Sequence, residues 1–317
     1  MRRTLLAAAA LGAPLLLTLV LIGCGRPVDD EGGGPAAGAD GGVKPPVVKA
    51  ELKPLEGKAG AVLRGKVTLK GSPNIDALAA LVKNTIQAKK DDKGTCFDMA
   101  PDAEKTQQKW VIDDKTHGVG NVVVWIQPDP DHFFKVDPAG KSWPEKVELA
   151  QPHCAFIPHV CWVVPTLAAP DPTDPKKTIP SGQKFFVSNA ADVSHNTKWE
   201  SISGTSNSNE LGTIKAHTSA QEVALKGNNS LVHFVCNIHP WMDAYVWVFN
   251  HPYAAVTQPD GSYEIKNVPA GAKVHITAWH EQGPNNGFLT PTKIKGDEIE
   301  LKDGETVKDF DLEYKEQ

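Results

Sequence analysis

The segment that most constrains how this chain can fold is residues 234–242, which lie between two short apolar stretches. The segment contains a thiol, an imidazole and a thioether in the order Cys-x2-His-x2-Met, at Cys236, His239 and Met242. The flanking stretches are rich in β-branched and aromatic residues and are short, which is typical of strands. The pattern therefore predicts a strand, a ligand-bearing loop and a second strand.

The donor atoms of this loop indicate copper. A thiolate with two imidazoles in a plane, and a weak axial methionine, forms a mononuclear blue-copper site. His195 follows the strand-like residues 184–189 and is the best candidate for the second imidazole. We therefore expect His195, Cys236, His239 and Met242 to bind one copper ion of type 1. Zinc is the alternative metal, although thioethers are poor zinc ligands.

The loop resembles that of the amicyanins, and His195-Asn196 resembles the His-Asn pair of plastocyanins and amicyanins. The resemblance implies a cupredoxin that passes single electrons to or from a redox partner, such as a cytochrome or an oxidoreductase. It also implies that Asn196 forms a hydrogen bond to the Cys236 loop, and that an exposed edge of His239 is the electron port. Cys236 lacks the flanking histidines of multicopper oxidases, so no coupled copper cluster is expected.

A wider resemblance covers residues from about 60 to 315. Several motifs occur in the order found in exported cupredoxin-like proteins of planctomycete-type bacteria, at residues 121–125, 151–160, 194–197, 236–242 and 251–253. A later pattern, Asp-Gly-x-Tyr-x-Ile-x-Asn-Val-Pro-x-Gly from Asp260 to Gly271, resembles carboxypeptidase-regulatory-like (transthyretin-like) β modules. Such modules are usually non-catalytic.

The N-terminus predicts export. Arg2-Arg3 precedes an apolar run, and the ending Leu21-Ile22-Gly23-Cys24 resembles a bacterial lipobox. We expect a lipoprotein signal peptide over 1–23, lipidation of Cys24 and a flexible tether over 24–58, which is rich in Gly, Ala, Pro and Lys. The folded part would then face the periplasm or the cell surface from a membrane. An uncleaved membrane anchor is the alternative.

The remaining cysteines allow at most one disulfide if Cys236 binds copper. We favour a Cys96–Cys154 bridge, because Cys161 lies within an apolar strand-like run where a buried thiol is the default. A Cys154–Cys161 bridge is the alternative. His153, Cys154 and His159 are a second possible metal cluster, against a disulfide and two ordinary histidines.

The sequence predicts a mainly β fold. We expect a Greek-key cupredoxin-like sandwich over 59–250, with an insertion near 96–180, and a transthyretin-like module over 251–317. Apolar residues at helical spacing predict one short helix over 75–89. The strand near 62–69 resembles the opening strand of a transthyretin-like module. The resemblance implies that this module is assembled from segments at both ends of the chain.

The charge pattern and the missing motifs narrow the function. A net charge of −5 over 317 residues, with scattered signs, argues against nucleic-acid binding. No phosphate loop, nucleophile elbow or His-Glu-x-x-His helix occurs, which favours a carrier over an enzyme. The rival hypotheses are a non-redox surface module that binds carbohydrate or protein, and a copper-dependent enzyme such as a reductase subunit.

Overall fold

The computed structural model describes residues 51–55, 57–89, 92–171, 173–202 and 207–314. The predicted signal peptide over 1–23, Cys24 and the tether up to residue 50 lie outside the described residues. Among the residues that are described, no helix is long and apolar enough to cross a membrane.

The fold is mainly β, as the sequence predicts. The strands are β1 Lys53–Leu55, β2 Lys58–Lys70, β3 Val123–Gln127, β4 His132–Phe134, β5 Lys146–Gln151, β6 Val160–Val163, β7 Thr166–Ala168, β8 Thr178–Pro180, β9 Lys184–Asn189, β10 His195–Ser201, β11 Asn209–Ile214, β12 Thr218–Val223, β13 Ser230–Val235, β14 Asp243–Val248, β15 Ala254–Val256, β16 Ser262–Ala270, β17 Lys273–Trp279, β18 Asp297–Glu300, β19 Glu305–Val307 and β20 Phe310–Glu313. The helical elements are α1 Ile75–Ala88, a π-type turn Gly94–Met99 and 3-10 turns at Glu104–Thr106, Pro138–Gly140 and Lys293–Lys295.

The first core lies between a five-stranded sheet and a three-stranded sheet. The larger sheet has the order β11-β10-β13-β14-β6, and the smaller one has the order β12-β9-β5. Strands β10, β13 and β14 are antiparallel neighbours, whereas β6 runs parallel to β14. Alternate residues of these strands point inward, and together they form one buried cluster that includes Phe185, Trp199, Phe234 and Val246.

The second core is built from both ends of the described chain. Strand β2 pairs with β16, β19 and β20, and β3 pairs with β15 and β17. This second core also contains strand β3 and the buried residues Val119 and Val122. We expected all of them in the first domain, over 59–250. The apolar β-branched run of β3 is consistent with either core, because strand periodicity does not reveal a strand's partner.

The two cores meet along a layer of aromatic side chains. Trp125 of β3 and Trp247 of β14 have ring centroids 4.4 Å apart, and Phe249 and Trp279 extend the contact. Trp125, Trp247, Phe249 and Trp279 are all at most 3 % exposed. Large buried aromatic surfaces stabilise such a junction strongly, so both cores lie within one compact unit of the chain.

Helix α1 agrees with the predicted helix over 75–89. It begins where the Asn74 side chain accepts a hydrogen bond from the Ala77 amide, a standard N-cap. Val82 and Ile86, four residues apart on one face, are buried in the first core. The helix therefore lies against the sandwich, and the side chain of Lys89, just after it, contacts the Cys236 loop.

Candidate metal centre

Two neighbouring strands carry the first ligand candidates. Trp199 of β10 lies opposite Phe234 of β13, and their rings stack 5.6 Å apart. Because alternate residues share a face, His195 points inward like Trp199, and Cys236 points inward like Phe234. The antiparallel register then brings His195 next to the loop that starts at Cys236. We expected His195 at the end of a strand, but it is the first residue of β10.

The loop between β13 and β14 is closed by its own backbone. The Cys236 amide donates to the Met242 carbonyl at 3.2 Å, and the Met242 amide donates to the His239 carbonyl at 2.8 Å. These bonds hold the three predicted loop ligands on one tight turn. Met242 is 1 % exposed and belongs to the first core.

Three of the four predicted ligands converge on one point. One ligand atom each from His195, Cys236 and His239 lies within 4.8 Å of the other two. The Nδ1 atoms of the two histidines are 2.9 Å apart, and Cys236 Sγ is 4.0 Å from His239 Nδ1. All three residues are at most 2 % exposed.

These separations fit a single small metal ion. An ion at about 2.05 Å from two nitrogens, with an angle of about 100–110°, holds the nitrogens about 3.1–3.4 Å apart. A thiolate at about 2.3 Å and a wider angle lies about 3.6–3.9 Å from each nitrogen. The observed 2.9 Å and 4.0 Å differ from these values by a few tenths of an ångström.

The outer nitrogen of each imidazole has an acceptor as its partner. His195 Nε2 lies 2.7 Å from the His153 carbonyl oxygen, and His239 Nε2 lies 3.0 Å from Asp92 Oδ2. Each Nε2 must therefore carry the proton, which leaves a lone pair on each Nδ1. Two lone pairs facing each other at 2.9 Å repel unless a cation lies between them. This tautomer pattern is the one that protein metal sites impose on their histidines.

Burial keeps both imidazoles neutral. Burial first, and then the neighbouring His239, lowers the pKa of His195 to about 4. Burial also lowers the pKa of His239, although the hydrogen bond and the negative charge of Asp92 oppose this shift. Neutral imidazole is the form that binds metals, so both rings are ready to bind at neutral pH.

Asn196 holds the loop as the resemblance implied. Its Oδ1 accepts hydrogen bonds from the Asn237 amide at 2.7 Å and from the Ile238 amide at 3.3 Å. The same oxygen lies 3.4 Å from Cys236 Sγ. One side chain thus connects β10 to the residues that immediately follow the thiolate, and it stabilises the position of the sulfur relative to His195.

The outer edge of His239 is covered, contrary to the expected electron port. His239 is fully buried, and Asp92, whose side chain is 22 % exposed, lies over its Nε2. Lys89 donates to the Ile238 carbonyl at 2.8 Å and lies 3.9 Å from Asp92. Sequence reasoning missed these contacts, because a charged segment that follows a helix looks like an ordinary solvated one.

A disulfide borders the site. Cys96 and Cys154 are bonded, and their sulfurs lie within 4.8 Å of a ring nitrogen of His239. Trp241 donates its indole N–H to the Cys154 carbonyl at 3.1 Å. The bridge uses both thiols, so Cys96 and Cys154 do not serve as thiolate ligands here. Cys161 is free, and burial raises the pKa of its thiol to about 12.

The second candidate cluster does not form a metal site in the described part of the chain. His153 pairs with Glu104 at 3.1 Å, and Cys154 is in the disulfide. His159 contacts Glu281, and both side chains are at most 3 % exposed. The hydrogen bond and the charge of Glu281 raise the pKa of His159 although burial opposes the shift. This pair links the two cores instead.

Comparisons with known proteins found no similar protein. No protein-family model, curated protein or solved structure matches the chain.

Proposed function

We propose that this chain is an exported, lipid-anchored carrier of single electrons that uses one type 1 copper ion. The observation that carries the proposal is the convergence of the Nδ1 atoms of His195 and His239 and the Cys236 thiol at the end of the first sandwich. A buried site with two imidazoles and a sulfur suits copper, which accepts this ligand set in both oxidation states. Bound copper supplies a one-electron couple.

The ligand roles follow from donor type. Cys236 would provide the thiolate, and His195 and His239 the two nitrogens through Nδ1. Met242 would provide the weak axial sulfur, since it ends the same closed turn and is buried in the same core. A site held by two strands and a hydrogen-bonded loop changes little in geometry between oxidation states, which favours rapid electron exchange.

The burial of the site favours an electron carrier over an enzyme. The outer nitrogens of both imidazoles are bonded to the His153 carbonyl and to Asp92, and His195, Cys236 and His239 are all buried. Within the described residues a substrate therefore has no direct path to the ligand atoms, whereas an electron can tunnel through the covering contacts. We propose that the redox partner docks over Asp92 and Lys89, because Asp92 covers the outer nitrogen of His239 and both side chains are partly exposed.

The test is voltammetry of the full chain after loading with one equivalent of Cu(II). The proposal predicts a reversible one-electron wave that disappears in Cys236→Ser. Cys161→Ser is the matched control, because Cys161 is the other free buried thiol in the described residues, and this variant should retain the wave. A wave that persists in Cys236→Ser, or that is missing in the wild type with copper bound, contradicts the proposal.

A further inference from the structure

The outer nitrogens of the two candidate copper imidazoles are held by two segments that are far apart in the chain. His195 Nε2 donates to the His153 carbonyl at 2.7 Å, and His239 Nε2 donates to Asp92 Oδ2 at 3.0 Å. His153 lies between β5 and β6, whereas Asp92 lies between α1 and β3. Hydrogen bonds of this kind orient a ligating imidazole and increase its basicity. The position of the two segments relative to each other therefore affects both nitrogen ligands.

The disulfide Cys96–Cys154 joins these two segments. Cys154 immediately follows His153, and Cys96 lies in the π-type turn Gly94–Met99, four residues after Asp92. Both cysteines are at most 3 % exposed, and the bond keeps their Cα atoms 4.9 Å apart. Because a disulfide allows only a narrow range of Cα separations, it fixes the distance between the segments more strictly than hydrogen bonds alone would.

Further contacts connect the Cys154 segment to the metal loop. Trp241 donates its indole N–H to the Cys154 carbonyl at 3.1 Å, and its ring centroid lies 5.1 Å from that of His239. The His153 ring pairs with Glu104 at 3.1 Å, which holds the same segment from the other side chain. A shift of the Cys154 segment would therefore reach both imidazoles.

From these contacts we propose that the Cys96–Cys154 bridge is a positioning element of the copper centre, which holds the acceptors of both imidazoles in place and thereby sets the reduction potential. The inference rests on the proposed copper function. Well-placed acceptors make each imidazole a stronger electron donor. Stronger donation stabilises Cu(II) more than Cu(I), because Cu(II) carries the larger charge. Loss of the bridge should therefore weaken Cu(II) binding more than Cu(I) binding and raise the potential.

The test compares the full wild-type chain, loaded with one equivalent of copper, with the double variant Cys96→Ala/Cys154→Ala. Alanine adds neither a polar atom to the core nor a ligand for copper. By chelator competition, the Cu(II) affinity should fall by about 10–100-fold. We expect this loss to exceed the loss of Cu(I) affinity by at least tenfold, which corresponds to a rise of about 59 mV in the reduction potential measured by voltammetry.

Two comparisons separate a positioning role from general stabilisation. In an Asp92→Asn background one of the two acceptor contacts is already weakened, so removing the bridge should shift the potential less than it does in the wild type. Leu63→Ala is the matched control, because it leaves a cavity in the second core, whereas the metal centre lies in the first. It should destabilise the fold and leave the potential unchanged.

An unchanged potential in the double alanine variant, equal shifts in both backgrounds, or a similar shift in Leu63→Ala would overturn the proposal. If the double variant does not fold, Trp241→Phe decides. This change keeps a ring beside His239 but removes the hydrogen bond to the Cys154 carbonyl, so the potential should rise by a smaller amount, and an unchanged potential would overturn the proposal. Failure of the copper function itself looks different, because the wild type then gives no wave or Cys236→Ser retains it.

Discussion

Replacing Asn196 by alanine tests how the metal loop is held. The change removes the acceptor of two backbone amides, those of Asn237 at 2.7 Å and Ile238 at 3.3 Å. Leaving a buried amide without an acceptor costs about 1–3 kcal/mol. Because Asn237 is exposed and water can replace its lost acceptor, we expect the variant to lose about 2 kcal/mol of unfolding free energy in total.

The same change should weaken copper binding. Residues that orient metal ligands typically contribute about 10–100-fold in metal affinity when they are removed. Asn196 connects β10 to the residue after Cys236, so its loss lets the thiolate move relative to His195. We therefore expect copper affinity, measured by competition with a chelator, to fall within that range in Asn196→Ala.

Urea unfolding of the metal-free protein measures the first effect, and two variants serve as references. Asn209→Ala, at an exposed position of the neighbouring strand β11, should change the unfolding free energy by less than about 0.5 kcal/mol. Asn196→Asp keeps an acceptor oxygen and should recover most of the lost stability. If Asn196→Ala matches Asn209→Ala in both stability and copper affinity, the reasoning about the loop is wrong.

Two further predictions concern the surroundings of the site, and a third concerns the buried His280. Asp92→Asn removes a negative charge 3.0 Å from His239 Nε2, so the reduction potential of the copper-loaded protein, measured by voltammetry, should rise. Asp98→Asn is the control, because Asp98 forms an exposed ion pair with Lys93, and it should leave the potential unchanged. Removing the Cys96–Cys154 bridge by a double serine substitution should lower the unfolding free energy by about 4 kcal/mol, because the bridge closes a loop with a sequence separation of 58 residues. A loss below about 1 kcal/mol in urea unfolding would contradict this prediction. Burial lowers the pKa of His280 from its ordinary value of about 6.5 to about 4. The unfolded chain therefore binds a proton at this histidine before the folded protein does, and the unfolding free energy falls by up to about 1.4 kcal/mol per pH unit as the pH drops from 6.5 towards 4. This pH dependence should be less steep in His280→Phe, and an unchanged slope would refute the assignment.

Part of the fold could be predicted because apolar side chains mark it. Strands β13 and β14 have inward-facing apolar residues at alternate positions, and the helix over 75–88 has them at helical spacing. Strand β10 was not predicted, because its inward positions are His195, Thr197 and Trp199. Two of these three side chains are polar, so the histidine and a hydrogen-bonding threonine hide the strand pattern.

The residues that converge at the candidate site could be predicted in part, but their surroundings could not. Cys236, His239 and Met242 share one loop, and their spacing is visible in the sequence. Asp92 lies 147 positions from His239 and reaches it only because α1 packs against the sandwich. Long-range contacts of this kind leave no local pattern, so the covered edge of His239 was the main error of the sequence interpretation.

The most direct test of the central claim is the spectrum of the full chain titrated with Cu(II). The account predicts one equivalent of copper, an intense visible band from thiolate-to-copper charge transfer, and an electron-spin-resonance signal from a single Cu(II). The band should disappear in Cys236→Ser and persist in Cys161→Ser. A colourless copper-loaded protein, or an unchanged spectrum in Cys236→Ser, would contradict the account.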